Sequence, residues 1–366
     1  MGSEPTEVRL TSPPFLLDEA TPQTDSLIAD VKAQMRVAAD RERPDAERIE
    51  AYEDIIDSQI GDTNLARSRN LERECDLRQL YLKFEGGNPT GTQKDRIAFA
   101  QALDAMRRGF DTVTVATCGN YGAALSMAAK LAGLRCVLFI PEGYKVQRSK
   151  EMESQDAQIV RVPGDYETAV VRSRERADAD ELYDANPGGA NTALQLRAYG
   201  DIAYEIYDEL RDAPAAVAVP VSNGTTLAGI YKGFLSLYRR GKTSRMPRMI
   251  AGSSFGKNPI VQSFRANSQS CIDLQPERIR ETQINEPLIN WHSIDGQHAL
   301  DAIRATGGCA SDVSDRSLRT FSKIIRDREG LNVLPASTAG LVALIDEHKR
   351  HSVPSDRYVA ILTGKK

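Results

Sequence analysis

Asn88-Pro89-Thr90-Gly91-Thr92-Gln93-Lys94-Asp95-Arg96 is a turn rich in Gly and Thr that delivers one lysine to the start of an apolar helix. A lysine amine in water is protonated at neutral pH and is a poor nucleophile. Beside other cations, or in an apolar pocket, it sheds that proton and can form a Schiff base with a carbonyl. Taken alone, a Lys-Asp-Arg triplet in a first helical turn reads as ordinary surface charge, so the residues around Lys94 have to decide between the two.

Outward from Lys94, the chain before the turn reads Leu80-Tyr81-Leu82-Lys83-Phe84-Glu85-Gly86-Gly87, and further upstream stands Ile60-Gly61-Asp62-Thr63-Asn64-Leu65. The whole stretch resembles the lysine motif of fold-type II pyridoxal-phosphate enzymes, the group of threonine synthases, cysteine synthases and serine/threonine dehydratases, whose sequences carry Ile-Gly-Asn-Thr-Pro-Leu at the upstream position. That resemblance implies that Lys94 is catalytic and holds pyridoxal 5'-phosphate. It also implies the fold: α/β, with two domains of parallel-type twisted sheets flanked by helices and the cofactor in the cleft between them.

The sequence beyond Asp111 supports an α/β architecture on its own. β-branched runs at Thr112 to Ala116, Cys136 to Ile140, Ile159 to Val162, Ala216 to Val221, Met249 to Ala251 and Tyr358 to Leu362 alternate with amphipathic stretches. Strands alternating with helices predict parallel sheets covered on both faces, with ligands beyond the carboxyl ends of the strands. Ser26 to about Ile60 carries apolar Leu27, Ile28, Val31 and Met35 at helical spacing, broken near Pro44. The resemblance adds a division: a tail at 1–25, an N-terminal helical segment at 26–79 contributing to the large domain, a small domain at 80–185 and the large domain at 186–366.

A pyridoxal-phosphate site also needs a phosphate cradle, a partner for the ring nitrogen and donors for the substrate carboxylate. Pro220-Val221-Ser222-Asn223-Gly224-Thr225-Thr226-Leu227 follows a strand and opens a helix, a place where backbone amides suit a phosphate. It resembles the Gly-rich phosphate loop of the superfamily, which implies cofactor contacts from Ser222, Asn223, Gly224, Thr225 and Thr226. Thr117-Cys118-Gly119-Asn120-Tyr121 is similar to the family's Ser-Gly-Asn loop. By that match Asn120 meets the cofactor, and Thr117, Cys118, Gly119 and Tyr121 surround the substrate carboxylate. Leu362-Thr363-Gly364 resembles the Leu-Thr-Gly of threonine synthases, placing the Thr363 hydroxyl at the pyridine nitrogen. Similarity to threonine synthases covers residues 55 to 364. Where those enzymes place a phosphate-binding arginine after an Asn-Pro pair, this chain has Asn186-Pro187-Gly188-Gly189, and the nearest arginine is Arg197, with Lys145 and Arg148 as other candidates.

Composition narrows the partners. The chain has 366 residues and a net charge of −4 with both signs intermixed, which gives no electrostatic footprint for nucleic acid or an anionic membrane. Five scattered cysteines with no Cys-x-x-Cys pair read as reduced thiols, and four histidines without a His-Glu-x-x-His pattern argue against a metal site. The N-terminus lacks a basic region followed by an apolar one, so a cytoplasmic protein is expected. Gly241-Lys242-Thr243 lacks the upstream glycine of a phosphate-binding Walker loop and reads as a helix C-cap.

The resemblance implies a homodimeric lyase acting on a small amino acid, with threonine-synthase-type conversion of O-phosphohomoserine to threonine and phosphate as the first reaction to test. The alternatives are β-replacement or β-elimination on O-phosphoserine, O-acetylserine, serine or threonine, or an amino-acid-binding homologue without catalysis.

Overall fold

The computed structural model describes residues 22–117, 119–144, 146–354 and 356–366, with side chains from residue 28 onward except that of Arg278. Cys118, Lys145 and residues 1–21 of the expected tail therefore lie outside the described residues. Helix α1 (Pro22–Ala39) and helix α2 (Asp45–Gln59) open the structure. Pro44, at φ −55, sits at the N-cap of α2, where its missing N–H is harmless. Ala51, Tyr52 and Ile55 form the buried stripe of α2; the Tyr52 ring stacks on Phe99 at 5.8 Å and its hydroxyl donates to Ala128 O at 2.9 Å.

Two sheets follow. The larger runs β1-β2-β10-β7-β8-β9, comprising β1 (Leu65–Arg67), β2 (Leu80–Phe84), β7 (Ala216–Pro220), β8 (Arg248–Ser254), β9 (Cys309–Val313) and β10 (Tyr358–Leu362). Only β1 pairs antiparallel. The smaller is all parallel in the order β5-β4-β3-β6, from β3 (Thr112–Ala116), β4 (Arg135–Pro141), β5 (Gln158–Val162) and β6 (Tyr183–Asp184). Every residue of β3, β7 and β10 is buried, as expected of strands covered on both faces. All six strands expected from the sequence form. The four that were not expected are short or lack a β-branched run: β2 carries the buried Lys83, and β9 reads Cys-Ala-Ser-Asp-Val. Although the sequence division placed residue 80 at the start of the smaller domain, β2 is hydrogen-bonded within the larger sheet.

Helices α4 (Lys94–Arg107), α5 (Asn120–Leu131), α8 (Thr192–Leu210) and α9 (Thr225–Arg239) share one apolar core that reaches both sheets. Helices α3 (Arg69–Cys75), α12 (Asp315–Glu329) and α13 (Ala339–His351) close the other face of the larger sheet. The short α6 (Ser149–Ser154) and α7 (Tyr166–Ala179) lie with the smaller sheet, and α10 (Pro259–Arg265) and α11 (Gly296–Ala305) with the larger. Glycines let α8 and α9 cross closely: a Cβ on Gly233 would stand 2.4 Å from Gly200 O, and one on Gly229 2.6 Å from Tyr199 Cβ. Gly241, at φ +66 just past α9, ends that helix as the sequence reading expected. Among the described residues no helix is long and apolar enough to cross a membrane.

Candidate active site

The loop before Lys94 is fixed from both ends. Thr90 donates its N–H and hydroxyl to the two oxygens of Asp95 at 2.8 and 2.6 Å. Burial pushes Asp95 up to about 7 even though those bonds and Arg148 pull the other way. The chain end after β10 zips against the same loop: Gln93 N–H donates to Thr363 O at 3.0 Å and Lys365 N–H to Gly91 O at 2.9 Å. Lys94 thus begins α4 with its amine over the rings of Tyr121 and Tyr199, 5.7 and 6.0 Å from their centroids. It makes no ion pair among the described residues. Burial lowers its pKa to about 8, with Asp295 partly opposing.

Beside Lys94 opens a crevice of about 110 Å³, lined also by Asn120, Ser222 to Thr226 and Thr363. Three segments distant in sequence converge there because β3, β7 and β10 all end on this side. Gly224 turns the chain into α9 at φ +90, and a Cβ there would come within 2.8 Å of Ala299 Cβ and 3.0 Å of Asp295 O. The loop's carbonyls are held from behind. Ser222 O accepts from Asn258 at 2.9 Å and from the Ser293 hydroxyl at 3.1 Å, and Asn223 O accepts from the Asp295 amide at 3.1 Å. Among the described residues the amides of Asn223 to Leu227 have no acceptor, so a ring of N–H groups remains at the α9 N-terminus for an anion. The Thr225 hydroxyl donates to Asp295 at 2.6 Å and is thereby turned from that cradle. Thr363 Oγ1 donates to Ser337 Oγ at 3.2 Å, and the Thr363 side chain borders the crevice.

The loop after β3 caps α5. Thr117 Oγ1 accepts from the amides of Gly119 and Gly122 at 3.3 and 3.0 Å, and Gly119 lines the approach to the crevice. The Tyr121 hydroxyl points inward, donating to Ala185 O at 2.8 Å and accepting from Gln101; it is the ring of Tyr121 that faces Lys94. Cys118 is not among the described residues. Asn120 Oδ1 accepts from Arg148 Nη1 at 3.0 Å, and Arg148 also holds Thr90 O at 2.9 Å. Arg148 lines an open vestibule of about 1,200 Å³ outside the crevice. Arg197 is elsewhere: it is exposed on α8, one turn from Asp201, and lines neither space. A groove of about 870 Å³ between α7 and residues 291–294 reaches none of these residues.

Sequence reasoning did not find Tyr199, Gln101, Gln195 or Asp295. All four are buried: Gln195 donates to Gln101 Oε1 at 3.2 Å, and Asp295 takes the hydroxyls of Thr192 and Thr225. Helical spacing on α8 was the available signal, because Gln195, Leu196, Ala198, Tyr199, Ile202 and Ile206 share the buried stripe and Arg197 falls outside it.

An amine of lowered pKa beside an amide cradle, an asparagine and a threonine hydroxyl fits a cofactor that bears a carbonyl, a phosphate and a ring. Residues 56–364 match the family model described as "Pyridoxal-phosphate dependent enzyme". The threonine synthase of Methanocaldococcus jannaschii is 32% identical over 310 residues, 83% of this chain and 74% of that protein. Maize serine racemase superposes with a TM-score of 0.71 at 18% identity, covering 87% of this chain and 93% of that one. The serine racemase of Dictyostelium discoideum does so with a TM-score of 0.70 at 18% identity, covering 87% and 97%. The last two likenesses concern the fold alone.

Proposed function

Because this chain belongs to the pyridoxal-phosphate dependent enzymes, we propose that Lys94 carries that cofactor and that the protein catalyses a threonine-synthase-type elimination and replacement, turning O-phosphohomoserine and water into threonine and phosphate. The observation that carries the proposal is the meeting of Lys94, Asn120, the Ser222–Thr226 amides and Thr363 on one small crevice. Bound pyridoxal phosphate supplies an electron sink for charge developing at the substrate α carbon. The residues do the rest. The amides of Asn223 to Leu227 would hold the phosphate, and the Thr363 hydroxyl, a neutral group, would serve the ring nitrogen. Asn120, its amide oriented by Arg148, would contact the cofactor ring. The Lys94 amine, its pKa lowered by burial to about 8, would take a proton from the α carbon and return it later in the cycle. Leu288, Leu334 and Ala336 line the crevice and limit water.

With Arg197 facing away, Arg148, Lys365 and Lys366 are the cations among the described residues that would meet a phosphate arriving through the vestibule. The same displacement of Arg197 favours a second reading, β-replacement or β-elimination on a smaller hydroxy-amino acid derivative. A homodimer in the cytoplasm belongs to the same proposal, as does a division into small and large domains in which β2 goes with the large one.

The test is to incubate the pyridoxal-phosphate-loaded protein with O-phosphohomoserine and follow threonine by mass spectrometry with phosphate release. Stoichiometric threonine and phosphate are expected, with a visible absorbance band that disappears in Lys94→Ala together with turnover. No turnover with the band intact would remove the phosphohomoserine reading and move the search to β-substituted alanines.

A further inference from the structure

The Lys94 amine stands over two aromatic faces at once, Tyr121 from α5 at 5.7 Å and Tyr199 from α8 at 6.0 Å. Both rings are immobilised. The Tyr121 hydroxyl is tied to Ala185 O and Gln101. Tyr199 is wedged by the close crossing of α8 and α9, where Gly229 leaves room for its Cβ. The Tyr199 hydroxyl, wholly buried, meets no group in full hydrogen-bond geometry among the described residues; the Thr226 side chain lies within reach as a weak partner. What Tyr199 offers Lys94 is its ring.

Among the described residues, the charged groups around Lys94 leave its ammonium form no ion pair. Asp295, on the segment before α11, acts on Lys94 from a distance but spends its two oxygens on Thr192 and Thr225. Asp95 on the same helix turns to Thr90, Arg96 to Glu85 and Glu205, and Arg148 to Asn120, Thr90 and Glu151. A ring face attracts a cation through its quadrupole and does so best where water is excluded. We propose that Tyr121 and Tyr199 are positioning residues that form an aromatic clamp, holding the Lys94 ammonium in place between taking a proton and returning it. The clamp rests on Lys94 being the reactive amine, but it acts on the free side chain and can be read without cofactor.

The experiment is an NMR pH titration of the cofactor-free full chain labelled with 13Cε-lysine, the Lys94 signal being the one lost in Lys94→Arg. A wild-type midpoint near 8 is expected. Tyr199→Leu removes the ring, and the Lys94 midpoint falls by about one unit; Tyr199→Phe keeps the ring and holds the wild-type midpoint. Because Tyr199→Phe keeps the ring and deletes a hydroxyl that meets no group in full hydrogen-bond geometry among the described residues, a folded variant is in hand even if Tyr199→Leu proves unstable. In that case Tyr199→Trp, with a larger and stronger face, raises the midpoint. An unchanged midpoint in Tyr199→Leu, or a fall of equal size in Tyr199→Phe, would overturn the clamp. Failure of the wild-type chain to bind pyridoxal phosphate would instead strike the proposed function and leave this titration untouched.

Discussion

Lys94 and Arg96 stand two residues apart at the start of α4, equally cationic by type, and the structure treats them in opposite ways. Arg96 is 4% exposed and fully paired. Its guanidinium donates to both oxygens of Glu85 at 2.7 and 2.9 Å and to both of Glu205 at 2.7 and 2.9 Å. Lys83, 1% exposed, adds an ion pair to Glu205 at 2.5 Å, and the Thr63 hydroxyl donates to Glu85 at 2.7 Å. Burial alone would lower the Arg96 pKa; the two carboxylates reverse that and hold it above its ordinary value. This cluster joins the linker after α2 to β2, α4 and α8 and balances two cations with two anions. Lys94 has the burial without the partners, and its pKa falls. The pairing builds a floor under the crevice, and its absence one half-turn earlier leaves an amine able to react.

Removing Arg96 should have the largest effect. Arg96→Met leaves the buried Glu85 without its cation and Glu205 with Lys83 alone, and is expected to cost about 3–5 kcal/mol in urea unfolding at neutral pH. Lys94→Met leaves no carboxylate stranded and should change stability by less than about 1 kcal/mol; comparable losses in the two variants would break the comparison. The cluster also predicts an acid limb. Burial works to raise the Glu205 pKa, but Arg96 and Lys83 bring it down to about 2. A depressed carboxylate contributes stability that is fully present above the ordinary glutamate range and is lost as pH falls towards about 2. Glu205→Gln should flatten that limb in thermal unfolding followed against pH.

On the crevice side, Gly224→Ala places a Cβ at φ +90 against Ala299 and Asp295. It should destabilise by about 1–3 kcal/mol and weaken pyridoxal-phosphate binding measured by spectral titration, since the amide cradle must shift. Full affinity in that variant would show that the loop does not anchor the phosphate. The smallest effect is expected from Asp295→Asn. The Asp295 charge favours the Lys94 ammonium, so its removal lowers the Lys94 midpoint further, by less than about one unit, and raises the neutral fraction at pH 7. A rise, seen in the 13Cε titration, would contradict the direction of that coupling.

The sequence pointed to Lys94, Asn120, Ser222–Thr226 and Thr363 through their match to the family's motifs, each at a strand end or helix start where Gly, Asn, Ser and Thr keep a recognisable order. Tyr199, Gln101, Gln195 and Asp295 left no such trace. They lie inside helices or in an irregular segment, and what makes them matter is which other helix they meet. Arg197 failed as an expectation for the converse reason: nearness to Asn186-Pro187 along the chain does not survive the 100° rotation per residue of a helix whose neighbouring residues are buried.

By itself, then, the sequence determined the alternation of strands and helices and the loops that could cradle an anion, which follow from local periodicity and turn residues, and it marked the lysine beside them through the family resemblance. Only the tertiary structure decided that Arg96 would be neutralised and Lys94 left unpaired, that Tyr121 and Tyr199 would lie beneath the same amine and that Arg197 would face away. Charge pairing and burial depend on which segments meet across more than a hundred residues, and no local pattern encodes that meeting.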